Sequence, residues 1–213
     1  MRVVVKVCGL STPESVDVAV RAGAQFIGFN FFSPSPRVIQ PSTARDLAHR
    51  VPDSVCKVAV VVDPTNDTLG TILEALGTSM VQLHGNEAPE RVNEIRDRFG
   101  CRVIKAVPIS GPDDVARAYC FSEVADMLLF DAKAQRGDTL PGGNARQFDW
   151  SLLSDVALTQ PWFLAGGLDA ENLAEAVAIS GARSVDVSSG VESAHGVKDS
   201  QKIVDFLMAA EGL

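Results

Sequence analysis

The residues best equipped for chemistry in this chain stand at or just beyond the ends of short apolar runs. Cys8 closes the run that begins at Val3, and Lys6 lies two residues before it. In an extended segment those two share a face. A cation so close is expected to lower the thiol pKa and make a thiolate available as base or nucleophile; the alternative is a buried structural Cys, with Lys6 paired to a carboxylate. A Lys6 that points inward needs a counter-charge, and Asp186, in the last apolar run, is the candidate. Asp131 follows Met127-Leu128-Leu129-Phe130. A carboxyl at the lip of an apolar strand has reason to hold its proton and act as a general acid; the alternative is a loop-opening Asp that caps the next amides. Gln82 and His84 end another run two residues apart, while Asp63-Pro64 reads first as a turn.

The late glycines point to an anion. Gly166-Gly167-Leu168 and Ser188-Ser189-Gly190 follow the last two apolar runs. Loops in those places, together with the start of a short extra helix, hold phosphate through backbone N–H groups in many barrels. Arg37 ends a loop stiffened by Pro34 and Pro36, and a guanidinium fixed there suits a carboxylate held by two parallel bonds. Residues 132–144, which include Gly142 and Gly143, read as a mobile lid beside Asp131.

These residues need a frame, and the alternation of the chain supplies one. β-Branched or apolar runs recur at Val3–Val7, Gln25–Phe31, Lys57–Val62, Met80–Leu83, Arg102–Val107, Asp126–Phe130, Trp162–Ala165 and Ser184–Val187. Each has the length of a buried strand. Helical spacing fills the gaps, with starts at Thr12-Pro13, Pro41 and Thr65-Asn66. Further helices are expected over Ala88–Phe99, Pro112–Phe121, Ala170–Ser180 and Ser200–Glu211, with a shorter one after Asp149. Glycines at 23, 77 and 181 precede strands, as helix-ending turns do. Eight βα units without an internal linker predict one domain over 1–213, an α/β chain folded as a closed (β/α)8 TIM barrel. A doubly wound open sheet would carry an early glycine fingerprint, and Cys8-Gly9-Leu10-Ser11 is not one.

Composition narrows the function classes. Hydrophobic residues make up 46% of the chain and no apolar run is long enough to span a bilayer, which argues against both disorder and a membrane protein. With 19 Lys+Arg against 27 Asp+Glu the net charge is −8, the wrong sign for a nucleic-acid footprint. The start lacks the features of a signal peptide, so a cytoplasmic location is expected. Four cysteines without a C-x-x-C pair, and three histidines, predict neither a disulfide framework nor a metal site. Cys56, Cys101 and Cys120 read as small buried hydrophobes.

Taken in order, Lys6-Val-Cys8-Gly9, the Ser35-Pro36-Arg37 loop, Gln82-Leu-His84-Gly85, Asp131, Gly142-Gly143, Gly166-Gly167-Leu168 and Asp186-Val-Ser188-Ser189-Gly190-Val-Glu192 resemble the phosphoribosylanthranilate isomerase family of barrel enzymes. The likeness runs from Lys6 to Asp199. It implies a cofactor-free Amadori rearrangement of a small phosphorylated substrate in tryptophan biosynthesis, with Asp131 as general acid and Cys8 as general base. It also implies that Arg37 holds the anthranilate carboxylate, and that the backbones of Gly166, Gly167, Leu168, Ser189 and Gly190 hold the phosphate. Gln82, His84, Gly142, Gly143, Asp186 and Ser188 would complete the substrate site. Two departures stand out. The family's loop runs Gly-Gly-Ser/Thr-Gly where this chain has Gly142-Gly143-Asn144-Ala145, which restricts the backbone of the expected lid. His195 replaces a common proline.

Two other readings compete. A histidine-pathway isomerase performs the same rearrangement, but uses paired aspartates where this chain has Cys8. A catalytically inactive barrel that only binds a phosphorylated ligand would need neither Cys8 nor Asp131. Monomer and homodimer are both compatible with the sequence.

Overall fold

Eight parallel strands pair in chain order and the last returns to the first, closing a barrel. The computed structural model describes residues 3–135, 140–143 and 145–213. The strands are β1 (Val4–Cys8), β2 (Phe26–Asn30), β3 (Cys56–Val61), β4 (Met80–Leu83), β5 (Arg102–Ile109), β6 (Met127–Ala132), β7 (Trp162–Leu164) and β8 (Ser184–Val187). Helices α1 (Pro13–Arg21), α2 (Pro41–Ala48), α3 (Asn66–Leu76), α4 (Pro89–Phe99), α5 (Pro112–Ala118), α6 (Leu173–Ser180) and α7 (Ser200–Glu211) occupy the connections and the C-terminus. Among its described residues, the segment between β6 and β7 carries only a 3-10 turn, Trp150–Leu153, in place of an α-helix. After β8 comes a hairpin that the sequence did not announce, β9 (Glu192–Ala194) against β10 (Val197–Lys198).

Local chemistry sets the helix limits. Thr12 caps α1 reciprocally with Ser15, Thr65 caps α3, and Asp199 accepts from two amides at the start of α7. Gly77 and Gly181 end α3 and α6 with φ of 58° and 70°, in the left-handed region that a glycine enters without strain.

Strand alternation divides the apolar residues into two layers. Val5 and Val7 face the helices along with the outward side chains of the other strands. Inside the barrel, Val58, Val60, Met80, Ile104, Ala106, Met127, Leu129 and Phe163 form a separate cluster, with Phe26 packed edge-on against Phe163 at 5.3 Å. Two of the cysteines depart from expectation: Cys101 is buried, but Cys56 and Cys120 are exposed. Cys56 is the first residue of β3, and Cys120 sits in the 3-10 turn that prolongs α5; neither reaches the interior layer. No helix among the described residues is long and apolar enough to cross a membrane.

Candidate active site

The C-terminal strand ends surround an open pocket. On the β1 side, Lys6 and Cys8 both point inward. Lys6 is fully buried and its Nζ lies 2.8 Å from Asp186 Oδ1, the partner that strand register offers directly across the β1–β8 seam. Gly28, opposite Cys8 on β2, makes this cluster possible. A Cβ there would lie 2.9 Å from Cys8 Sγ and 3.2 Å from Lys6 Nζ. Burial works against the Lys6 ammonium, yet Asp186 and Cys8 outweigh it and its pKa is raised. The thiol does not follow the sequence expectation. Burial pushes Cys8 up, Lys6 and Lys198 pull it back, Asp186 adds to the push, and the outcome is a raised pKa. A nearby cation softens the desolvation of this thiol without overcoming it.

Across the pocket, Asp131 is buried near the end of β6. Its Oδ1 accepts from the Ala132 amide at 2.8 Å, and its Oδ2 lies 3.3 Å from His84 Nε2. The other ring nitrogen, Nδ1, is 2.9 Å from Gln82 Nε2. The loop backbone at Gly142 lies directly over Asp131 Oδ2 and His84 Nε2, leaving no room for a Cβ. Gly166, with φ of 88°, approaches from the β7 loop, where a Cβ would stand 3.1 Å from Asp131 Oδ1.

Gly166, Gly167 and Leu168 line the pocket beside Ser188 and Ser189. Gly190 does not line it. Its backbone packs so closely on the Leu168 carbonyl that a side chain is excluded, so its service is to bring the two loops together. Ser189–Val191 form one turn of 3-10 helix, the short extra element expected after β8.

Arg37 lines the pocket, but much of its guanidinium is already engaged. Nε and Nη2 contact Glu192 at 2.6 and 3.0 Å, and Nη2 also donates to the Gly143 carbonyl at 3.2 Å. The parallel-bond edge expected to face a ligand is therefore turned to Glu192, leaving Nη1 beneath Gly143. Glu192 also meets Lys198 Nζ at 2.8 Å and the Gly196 amide at 3.0 Å. Burial opposes its charge, but Arg37 and Lys198 override that and hold its pKa down to about 2. Lys198 is pulled down by burial, with Glu192 opposing. It donates to the Ser188 carbonyl at 2.8 Å, so Arg37 and the β8 loop are tied to one carboxylate.

Thus Cys8, Arg37, Gln82, His84 and Asp131 converge on one pocket, joined by Gly142, Gly143, Gly166, Gly167, Leu168, Asp186, Ser188 and Ser189. Asp63 is a turn residue with φ of 43° that accepts from the Asn86 amide. Asn144, and positions 136–139 of the expected lid, lie outside the described residues. Ala145, where the family pattern has glycine, adopts φ of 54°. Gly28 was not singled out from sequence, and the family motifs that contain Glu192 and Lys198 came with no role for either residue. Opposite charges on either side of His195-Gly196 were the available signal for the last two.

A closed βα barrel with a thiol, a carboxyl and two glycine-bearing loops around one mouth defines a barrel enzyme. Comparison with known proteins makes this specific. The chain belongs to the N-(5'-phosphoribosyl)anthranilate (PRA) isomerase family, which matches residues 5–209. It is 50% identical to N-(5'-phosphoribosyl)anthranilate isomerase of Paramagnetospirillum magneticum over 212 residues, covering 100% of this chain and 99% of that protein. The Rhizobium johnstonii enzyme of the same name is 49% identical, over 99% and 95% of the two chains. The phosphoribosyl anthranilate isomerase structure from Thermotoga maritima superimposes with a TM-score of 0.89 at 35% identity, covering 99% of this chain and all of that one. A family structure in complex with reduced 1-(o-carboxyphenylamino)-1-deoxyribulose 5-phosphate gives 0.85 at 34% identity, with 99% and 100% covered.

Proposed function

We propose that this chain catalyses the Amadori rearrangement of N-(5-phosphoribosyl)anthranilate to 1-(2-carboxyphenylamino)-1-deoxyribulose 5-phosphate in tryptophan biosynthesis. Asp131 is the general acid and Cys8 the general base. The proposal takes 1–213 as one barrel domain, cytoplasmic, working as monomer or homodimer on a small phosphorylated substrate. The observation that carries it is the opening of both a buried carboxyl and a buried thiol onto one pocket flanked by the β7 and β8 loops.

Asp131 gives its proton to the furanose ring oxygen as the C1–O bond breaks, and the nitrogen lone pair forms the C1=N iminium. Cys8, having lost its thiol proton to solvent at the open pocket, then takes the proton from C2 as the thiolate. The C–H electrons become the C1=C2 bond, and the iminium π electrons return to nitrogen. The resulting enolamine tautomerises to the ketone. The protonated imine is the electron sink, so the route needs neither metal nor nicotinamide. It also brings a positive charge toward a thiol that burial otherwise keeps protonated. The Gly166–Leu168 backbone and Ser189 are assigned to the phosphate, with Gly190 holding their two loops together, and the Nη1 side of Arg37 to the anthranilate carboxylate. Gln82, His84, Gly142, Gly143, Asp186 and Ser188 are assigned to holding the substrate and its acid and base in place.

The test follows the loss of anthranilate-type fluorescence when purified protein meets freshly generated substrate. Fast decay in the wild type, unaffected by chelator and abolished in both Asp131→Asn and Cys8→Ser, is the expected result. Decay no faster than the uncatalysed background in the wild type would overturn the reading. Full activity in either variant would overturn that residue's role.

A further inference from the structure

The mechanism above uses Asp131 but gives only a general holding role to two polar residues beside it, Gln82 on β4 and His84 just beyond its end. Gln82 is wholly buried, His84 is largely so, and they project from the same face two residues apart. Gln82 Nε2 stands 2.9 Å from His84 Nδ1, and the other end of that amide, Oε1, has no hydrogen-bond partner among the described residues. An amide nitrogen can only donate. Facing Nδ1, it requires that nitrogen to accept, which places the imidazole proton on Nε2. Nε2 in turn is 3.3 Å from Asp131 Oδ2. The chain of contacts therefore has a direction: amide to imidazole to carboxyl.

We propose that His84 is a positioning residue for Asp131, held by Gln82 as the Nε2–H tautomer so that it donates to Asp131 Oδ2. This rests on Asp131 being the acid. With Oδ1 held by the Ala132 amide, the second donor fixes the rotation of the carboxyl and leaves its remaining lone pairs toward the pocket. The bond also strengthens as the carboxyl becomes a carboxylate, since a charged acceptor binds a donor more tightly than a neutral one. Help that grows as the proton leaves lowers the barrier to ring opening without tightening substrate binding. Gly142 stands close over Oδ2 and Nε2, where an added Cβ would collide with both.

Two measurements test it. In the fluorescence assay, His84→Ala is expected to lower kcat about tenfold to a hundredfold, with KM changed less than about twofold. His84→Gln retains an amide donor of similar reach and should recover most of that loss. Nitrogen-15 NMR of the three histidines should show His84 as the Nε2–H tautomer in the wild type. Gln82→Glu, whose carboxylate accepts, should move the proton onto Nδ1, and kcat should fall as well. An Nδ1–H wild type, or a His84→Gln enzyme as slow as His84→Ala, overturns the proposal, as does a loss confined to KM. If Asp131→Asn is fully active, the acid assignment fails first, and that result is separable because the tautomer is read without turnover.

Discussion

Replacing Glu192 with glutamine keeps the side chain's size and removes the carboxylate that faces two buried cations. Arg37 and the Lys198 side chain are 3% and 2% exposed, so water cannot take over the lost charge. Removing one partner of a buried pair costs about 3–5 kcal/mol. The depressed pKa gives a second route to the number. A carboxyl moved from 4.5 to about 2 contributes about 3 kcal/mol, at 1.36 kcal/mol per pH unit. The sign follows from the direction: folding favours the charged form, so this stability is fully present above pH 4.5 and drains away as pH falls toward 2. Urea titrations read by the two tryptophans should place Glu192→Gln about 3 kcal/mol below wild type at pH 7. That gap should narrow steadily below pH 4.5. Lys198→Met in the same background should recover part of the loss, because one stranded cation goes with it. A Glu192→Gln protein within about 1 kcal/mol of wild type at neutral pH, or a gap that stays constant down to pH 3, would refute the reasoning.

Other perturbations follow from the same geometry. Cys8 should alkylate slowly at neutral pH, with a rate still climbing at pH 9 by peptide mass mapping, because burial raises its pKa; Lys6→Met should slow it further by removing the cation that opposes burial. Gly28→Ala should cost about 1–3 kcal/mol from crowding and lower kcat, since its methyl meets Cys8 Sγ and Lys6 Nζ; calorimetry and turnover measure the two effects. Gly142→Ala should cut kcat/KM at least tenfold (about 1.4 kcal/mol of barrel-mouth crowding) while leaving the melting temperature nearly unchanged. Ala145→Gly should raise stability by up to about 1 kcal/mol, the left-handed strain relieved less the extra chain entropy of glycine. Thermal melts check it.

What the sequence could reveal depended on how local the governing physics was. Strand alternation placed Lys6, Cys8, Gln82 and Asp186 on inward faces because a period of two survives any tertiary context. The Lys6–Asp186 pair followed from β1 and β8 meeting at the closure. The direction of the Cys8 shift was missed because it is a balance between desolvation and charge, and the depth of burial is a property of the finished barrel. That the Nε edge of Arg37 belongs to Glu192 was not legible, since that contact spans 155 residues and needs the β9–β10 hairpin to fold back. Cys56 and Cys120 were misread because an apolar run marks a buried face without saying which of its end residues escape it.

The Lys6–Asp186 pair has a consequence for how the protein comes to be active. Neighbouring strands join residues close in sequence, as Lys6 and Phe26 do, whereas the pair at the seam links positions 180 residues apart. Loop-closure entropy grows with the logarithm of that separation, making the last join about 2 kcal/mol dearer than the first. Long-range closure of this kind comes late in folding. Until it happens Lys6 has no counter-ion and Cys8 no enclosed neighbourhood. Helix formation during refolding should therefore run ahead of the return of turnover, and the chemistry of the thiol becomes a clock for the moment the barrel shuts.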